Sequence, residues 1–333
     1  MLTVAEPLSP YHRLARTPIH RWWRTVLGTL FIVVGATMLA LGGYGVVTVA
    51  ADLAGRPDGA DGLPTFGALA DLALSFLMVA ALLPVTLLAA RWIQERPAGT
   101  LSSVTGRLRL RWLLTCLAVA GVAIALFLGA ITIVDSGTGA DTDLTGELAG
   151  WGPFAVSALV LLLVVPPQVA AEEYLTRGWL LQGVGAWCRR PWLPIAVQAI
   201  VFAALHGWGT PWGFADLVMF GLVAGWLTVR TGGLEAAIAL HLANNLLSCL
   251  LSAAFGDLGV DETAADMPWR YVAIDVPVLL TYAWVIAWLA RRRNLRHTSP
   301  VPEAPSGAFP VAVDSGGAMA GALPQAAGSA AQW

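Results

Sequence analysis

Four residues able to move a proton or steady an anion stand inside apolar runs of this chain. Glu172 lies in Ala171-Glu172-Glu173-Tyr174-Leu175-Thr176-Arg177, and His206 closes Phe202-Ala203-Ala204-Leu205-His206. His241 and Asn245 belong to His241-Leu242-Ala243-Asn244-Asn245. A carboxylate partly withdrawn from water has its pKa raised toward the work of a general base. An imidazole N–H and an amide NH₂ are donors that can hold a developing oxyanion. The set supplies the parts for hydrolysis by an activated water, provided that three separate helices bring it together.

Each residue also has a plainer explanation. Glu173 and Arg177 are i and i+4, so they share a helix face and can pair for structural reasons. Glu172 is turned about 100° from Glu173, has no expected partner on its own helix, and is predicted to face a neighbouring helix, a cavity or water. If the helix ended near Ala170, for which Pro166-Pro167 provides a reason, the charges would be interfacial instead. A histidine at a helix end, as at His206, is commonly a polar terminus. His241 and Asn245 share one face by i,i+4 spacing and could simply bridge helices by hydrogen bonds. Counted from cytoplasmic ends near 187, 191 and 234 at 1.5 Å per residue, Glu172 and His206 come out about 22 Å deep and His241 about 10 Å. A shared site is compatible with this arithmetic but is not required by it.

The elements that must position these residues are membrane helices. The 333 residues are 57% hydrophobic and 12% charged, whereas soluble chains are nearer a quarter charged. Apolar runs predict spans over 25–50, 66–90, 113–134, 153–187, 191–207, 212–230, 234–255 and 271–290, each near the roughly 20 residues that cross a bilayer. The fold expected is an all-α polytopic membrane protein with about eight transmembrane helices. Arginines precede the first span (Arg13, Arg16, Arg21, Arg24), lie between the second and third (Arg91, Arg96, Arg107, Arg109, Arg111) and between the fourth and fifth (Arg189, Arg190), and follow the eighth (Arg291, Arg292, Arg293, Arg296). Acids such as Asp58, Asp61, Asp135, Asp141, Asp143, Glu147, Asp257, Asp261, Glu262 and Asp266 mark the other side. Positive charge thus alternates sides, and both termini are expected in the cytoplasm.

Tryptophans such as Trp22, Trp92, Trp112, Trp151, Trp212 and Trp269 fall near the proposed ends, as amphipathic rings do at headgroups. The first run is too long for a signal-peptide core and is read as a retained helix. The tail from about Thr298, rich in Ala, Gly, Pro and Ser, lacks the apolar content to fold and is expected to be disordered. Cys116, Cys188 and Cys249 form no disulfide framework. A net charge of −2 provides no basic surface for nucleic acid. No internal repeat is visible. The organisation expected is a cytoplasmic segment 1–24, three helices in 25–150, a core over 151–255, a loop and last helix in 256–297, and the tail 298–333.

Glu-Glu-x-x-x-Arg at 172–177, Phe-x-x-x-His at 202–206 and His-x-x-x-Asn at 241–245, in that order on successive apolar helices, resemble the CPBP family of intramembrane proteases. This is the group of CAAX prenyl endopeptidases and bacteriocin-processing or immunity proteins, also called Abi. The resemblance covers roughly residues 150–255. It implies an endopeptidase in which Glu172 and His206 activate water while His241 and Asn245 stabilise the oxyanion, with Glu173, Arg177 and Phe202 in support. It implies a peptide or protein substrate at the lipid bilayer, and a prokaryotic plasma membrane as location. Glu172, His206 and His241 could hold a zinc ion with an open fourth position, and the family is often labelled metalloprotease for that reason. His-Glu-x-x-His is absent, however, and Asn245 suits an oxyanion better than zinc, so the reading leans to metal-independent catalysis by glutamate. A transporter or channel with a buried polar pathway is the main alternative, and a catalytically inactive immunity or scaffold protein is the other.

Overall fold

The computed structural model describes residues 2–59, 62–138, 147–258 and 264–301. The expected acids Asp61, Asp141, Asp143, Asp261 and Glu262, and the tail beyond residue 301, lie outside the described residues. Eight apolar helices organise the rest: α1 (Trp22–Ala54), α2 (Ala68–Ile93), α3 (Leu110–Thr138), α4 (Trp151–Gly185), α5 (Trp192–Leu205), α6 (Pro211–Thr231), α7 (Glu235–Phe255) and α8 (Trp269–Arg292). Among the described residues, β pairing is confined to isolated bridges. The protein is an all-helical polytopic membrane protein.

Each predicted span is a helix, but α5 departs from expectation. It has 14 residues, whereas the other seven are long and apolar enough to cross a membrane. At 1.5 Å per residue α5 reaches only about 21 Å. Its end is set by local chemistry. Gly207 and Gly209 have φ of 93° and 34°, a conformation that suits glycine, and Pro211 then opens α6 with Thr210 capping Gly213 N–H at 2.9 Å. A helix that stops short leaves the residue that caps it, His206, inside the bundle.

α4 runs unbroken through Pro166 and Pro167 as far as Glu173, so a helix end near Ala170 is not what occurs. The irregularity comes immediately after the two acids, where Tyr174–Leu180 widens to π-helical geometry before α-helix resumes at Leu181–Gly185. Such widened turns occur often at functional sites. Here it rotates the Glu172 and Glu173 side chains relative to Arg177 and Trp179.

The last turns of α4 are sheathed by residues from other parts of the chain. Gly178 packs on Leu101, and Gln182 donates to Thr100 O at 2.9 Å. Arg96, fully buried, donates to Gln94 Oε1 at 2.6 Å and to Thr100 Oγ1 and Gln182 Oε1 at 2.7 Å. Burial lowers its pKa to about 10, so it stays charged at neutral pH. Gly185 lies so close to the His12 carbonyl that no side chain fits there. Meanwhile Leu234 N–H donates to Ser102 O at 2.9 Å, and Arg109 clamps the buried Glu235 with Nε on Oε1 at 2.7 Å and Nη2 on Oε2 at 2.6 Å. The start of α7 is therefore level with Gly178, two turns before α4 ends.

That offset removes the depth discrepancy. Measured from this common level, Glu172 and His241 both sit about 10 Å up their helices. The count from the sequence placed Glu172 deeper because it started at residue 187, two turns beyond the level at which α7 begins. Thr298 and Ser299, assigned to the tail from the sequence, are held against the N-terminal segment. Ser299 N–H donates to Ser9 O at 2.9 Å, and Leu8 N–H to Ser299 O at 3.2 Å.

Reporter fusions after Arg24, Gly139, Arg190 and Arg293 should read inside, outside, inside, inside, since the arginine-bearing segments 13–24, 91–111, 189–190 and 291–296 belong to one side. An external signal at Arg293 would break the alternation on which the eight-helix topology rests.

Candidate active site

The three motifs, far apart in sequence, meet where α4, α5 and α7 face one another. α5 lies against α6 because small residues permit close approach: a side-chain carbon at Gly221 would sit 2.7 Å from Ala199 Cα. Gln198, fully buried, adds a hydrogen bond from Nε2 to Gly221 O at 2.7 Å. This fixes Phe202 and His206. α7 is held by the Arg109–Glu235 clamp at its first residue, which sets the height of His241.

Glu173 is the buried anchor of the site. It is fully buried, and its Oε1 accepts from Arg177 Nη1 at 2.7 Å and meets His241 Nδ1 at 2.8 Å. The expected i,i+4 pair with Arg177 is present; the bond to His241, across to α7, was not anticipated. The guanidinium of Arg177 also lies 4.0 Å from the centroid of the Phe202 ring and 5.5 Å from that of Phe220, a favourable cation–π arrangement in an apolar setting. Phe202 and Phe220 in turn meet the His241 ring edge-on, at 5.7 and 5.5 Å between centroids. Phe202 fills the space between the arginine and both imidazoles.

Glu172 behaves differently from its neighbour. Its side chain keeps 21% exposure, against none for Glu173. It does have a partner on its own helix, contrary to the sequence reading: Gln168, at i−4, donates from Nε2 to Glu172 Oε1 at 2.6 Å. The spacing Gln168–Glu172 was the available signal. The second oxygen, Oε2, has no hydrogen-bond partner. His241 Nε2 lies 3.5 Å from it and His206 Nε2 3.9 Å.

Both rings are oriented from behind. His206 Nδ1 is 2.9 Å from Phe202 O, an acceptor only, so that nitrogen carries the proton and Nε2 is left bare. Glu173 plays the corresponding part for His241. Asn245 completes the group, with Nδ2 3.2 Å from His241 Nε2 and 3.4 Å from Gln168 Oε1. All four sequence-predicted site residues are therefore brought together, with Gln168 and Phe220 added.

Among the described residues no group of three or more His, Cys, Asp and Glu side chains is arranged to hold a metal ion. The Asn245 amide lies 3.2 Å from His241 Nε2 and Gln168 occupies one Glu172 oxygen, while Glu172 Oε2 and His206 Nε2 stay open.

The site opens on an apolar cavity of about 700 Å³. Glu172, Phe202 and His206 form one end of it, and Ile32, Thr29 and Trp179 are among its walls. Trp179 Nε1 donates to Thr29 Oγ1 at 3.0 Å, and its ring presses on Gly28, so α1 closes the cavity on one side.

The bundle thus gathers a glutamate, two histidines and an asparagine beside one apolar cavity, and ionisable groups inside a bilayer are candidates for function. The family model of the type II CAAX prenyl endopeptidases, Rce1-like, matches residues 151–247, the segment that supplies every one of these side chains. That segment carries the family pattern which the motifs resembled. The chain is also similar to the uncharacterized protein YyaK of Bacillus subtilis (strain 168), 25% identical over 235 residues, covering 67% of this chain and 77% of that one. No solved structure matches the chain.

The two glutamates should separate cleanly in thermal melts of detergent-purified protein. Arg177→Met, which leaves the Glu173 charge buried and unpaired, should cost about 3–5 kcal/mol. Glu172→Gln, at the cavity edge, should cost less than about 1 kcal/mol. Equal destabilisation by both would mean that Glu172 is a packing residue.

Proposed function

We propose that the protein is an intramembrane endopeptidase of the CAAX type that hydrolyses a peptide bond of a membrane-associated or lipidated protein or peptide by an activated water. The observation that carries this reading is the unpartnered Glu172 Oε2, faced by the Nε2 atoms of His206 and His241 at 3.9 and 3.5 Å. One carboxylate oxygen and a bare imidazole nitrogen are two acceptors for the two hydrogens of one water. The family match over 151–247 supports the same chemistry.

In the proposed reaction a water lies between Glu172 Oε2 and His206 Nε2. As its oxygen attacks the scissile carbonyl, Glu172 takes one of its protons. Gln168 holds the other carboxylate oxygen, so the reactive one does not rotate away. The tetrahedral oxyanion is met by the Asn245 amide, with His241 beside it, its ring held from behind by Glu173. Glu172 then returns its proton to the leaving amine as the C–N bond breaks. The largely apolar lining of the cavity lowers the local dielectric, which strengthens each of these electrostatic contacts. Its walls suit a substrate that arrives from the lipid phase, and the bilayer is the second partner the reading requires.

The proposed steps use the chain's own residues: Glu172 as base, His206 as the second acceptor for water, and Asn245 as the donor. Zinc held by Glu172, His206 and His241 is the competing form of the same site.

Protein reconstituted in nanodiscs and assayed on lipidated and unlipidated peptides should cleave at a defined bond. Glu172→Gln should lower kcat by about 10²-fold or more while remaining inserted and folded. Most activity should survive a strong chelator, and elemental analysis should find well under one zinc per chain. Full activity in Glu172→Gln would remove the proposed base. Stoichiometric zinc, lost together with activity in His206→Ala and His241→Ala, would make the enzyme a metalloprotease.

A further inference from the structure

The basic end of the bundle holds a second built site, unconnected with the proposed reaction. Between the last turns of α6 and α8 lies a hollow of about 480 Å³, lined among others by Arg230, Arg291, Asn294, Arg296 and His297. No acid is among its lining residues. Other arginines of this end are engaged elsewhere. Arg24 pairs with Glu95 and Arg109 with Glu235, Arg292 lies over Trp288, and Arg293 lies over Trp112 with Nη1 on Thr115 Oγ1 at 2.8 Å. Among the described residues Arg230, Arg291 and Arg296 form no ion pair.

The wall of the hollow is fixed. Just past α8, Asn294 takes φ 48° and Leu295 N–H bonds back to Ala290 O at 3.0 Å, which turns the chain across the end of the bundle. Arg109 Nη1 then donates to Arg296 O at 2.9 Å. Gly232, at φ 74°, lets the segment lie directly on the end of α6, since a side-chain carbon there would be 2.6 Å from His297 Cα. Ser299 is tied to Ser9 just beyond.

Arginines at helix C-termini have an ordinary explanation, because the dipole and the charge asymmetry of membranes both favour cations there. That explanation asks only for side chains spread into solvent. It does not ask for three unpaired guanidinium groups from two helices and a hydrogen-bonded segment around one concavity. Guanidinium forks match phosphate oxygens. The exposed Trp288, one turn before Arg291, marks this as the level of lipid headgroups, where basic pockets between helices take anionic lipids.

We propose that the hollow between the C-terminal ends of α6 and α8 is a phosphate-binding site that takes the phosphodiester headgroup of an anionic phospholipid or free phosphate. Its position at the headgroup level and its partly apolar lining, with Ala290 and Leu295, favour the lipid as the source.

The test compares two triple variants with the same loss of charge at the same end of the molecule. One replaces Arg230, Arg291 and Arg296 by glutamine. The other replaces the exposed Arg107, Arg111 and Arg190, which lie outside the hollow. Retention of dioleoylphosphatidylglycerol, doped into phosphatidylcholine nanodiscs, is read by native mass spectrometry, with inorganic phosphate titrated as a competitor. The pocket triple should weaken phosphatidylglycerol retention on the order of a hundredfold, while the control triple stays near the parent. Phosphate that binds as tightly without lipid, and is lost in the same triple, keeps the site but assigns it to free phosphate. Equal loss in both triples, or none in the pocket triple, overturns the proposal. Should the pocket triple melt early, the single Arg296→Glu, on the exposed segment, serves instead, and unchanged phosphatidylglycerol retention there overturns the proposal equally.

Discussion

The buried carboxylate of Glu173 is the constraint around which the site is built. A charge withdrawn wholly from water must be compensated where it lies, or the structure pays several kcal/mol. Glu173 is compensated twice, by Arg177 one turn along its own helix and by His241 on α7. The first contact holds the arginine against Phe202, which packs beneath His206. The second sets the ring of His241. One oxygen therefore registers α4, α5 and α7 against one another, and Glu172, the next residue, is left to face the cavity. Neighbouring acids in one sequence thus differ: Glu173 is locked between Arg177 and His241, and Glu172 keeps one oxygen open.

Two irregularities make that registration possible. A regular α4 would carry Arg177 and Trp179 on in the same rotation as Glu172 and Glu173. The widened turn at Tyr174–Leu180 changes the phase immediately after the acids. The shortness of α5 has the same effect on the other side of the site. A full-length span would carry His206 into helix, whereas a stop at Leu205 followed by glycines puts it at a terminus within the bundle. Both departures from ideal helix lie at the proposed chemistry, where local strain is most often retained for function.

Much of the architecture was legible from apolar periodicity. Run length and charge alternation found all eight helices, because lipid imposes a composition that soluble packing does not. The motif residues were legible too, since charged groups in apolar runs stand out. What was hidden were the relations between distant segments. The level of α7 depends on Arg109 and Glu235, which are 126 residues apart, and no local pattern joins them. The sheathing of α4 by residues 94–106 was equally invisible, so depth was counted from the wrong level and that of Glu172 misjudged. Gln168 could have been found, because it stands at i−4 from Glu172 on an otherwise apolar face. The bond from Glu173 to His241 could not, because it required knowing that the two helices pack at that height.

The central claim is that Glu173 positions His241 rather than merely lying near it. The most direct measurement is a double-mutant cycle on unfolding free energy in lipid bilayers, with Glu173→Gln, His241→Gln and the pair together. A direct charge-assisted hydrogen bond predicts a coupling of about 1.5–3 kcal/mol between the two sites. Effects that add to within about 0.5 kcal/mol would show two independent residues and would contradict the account.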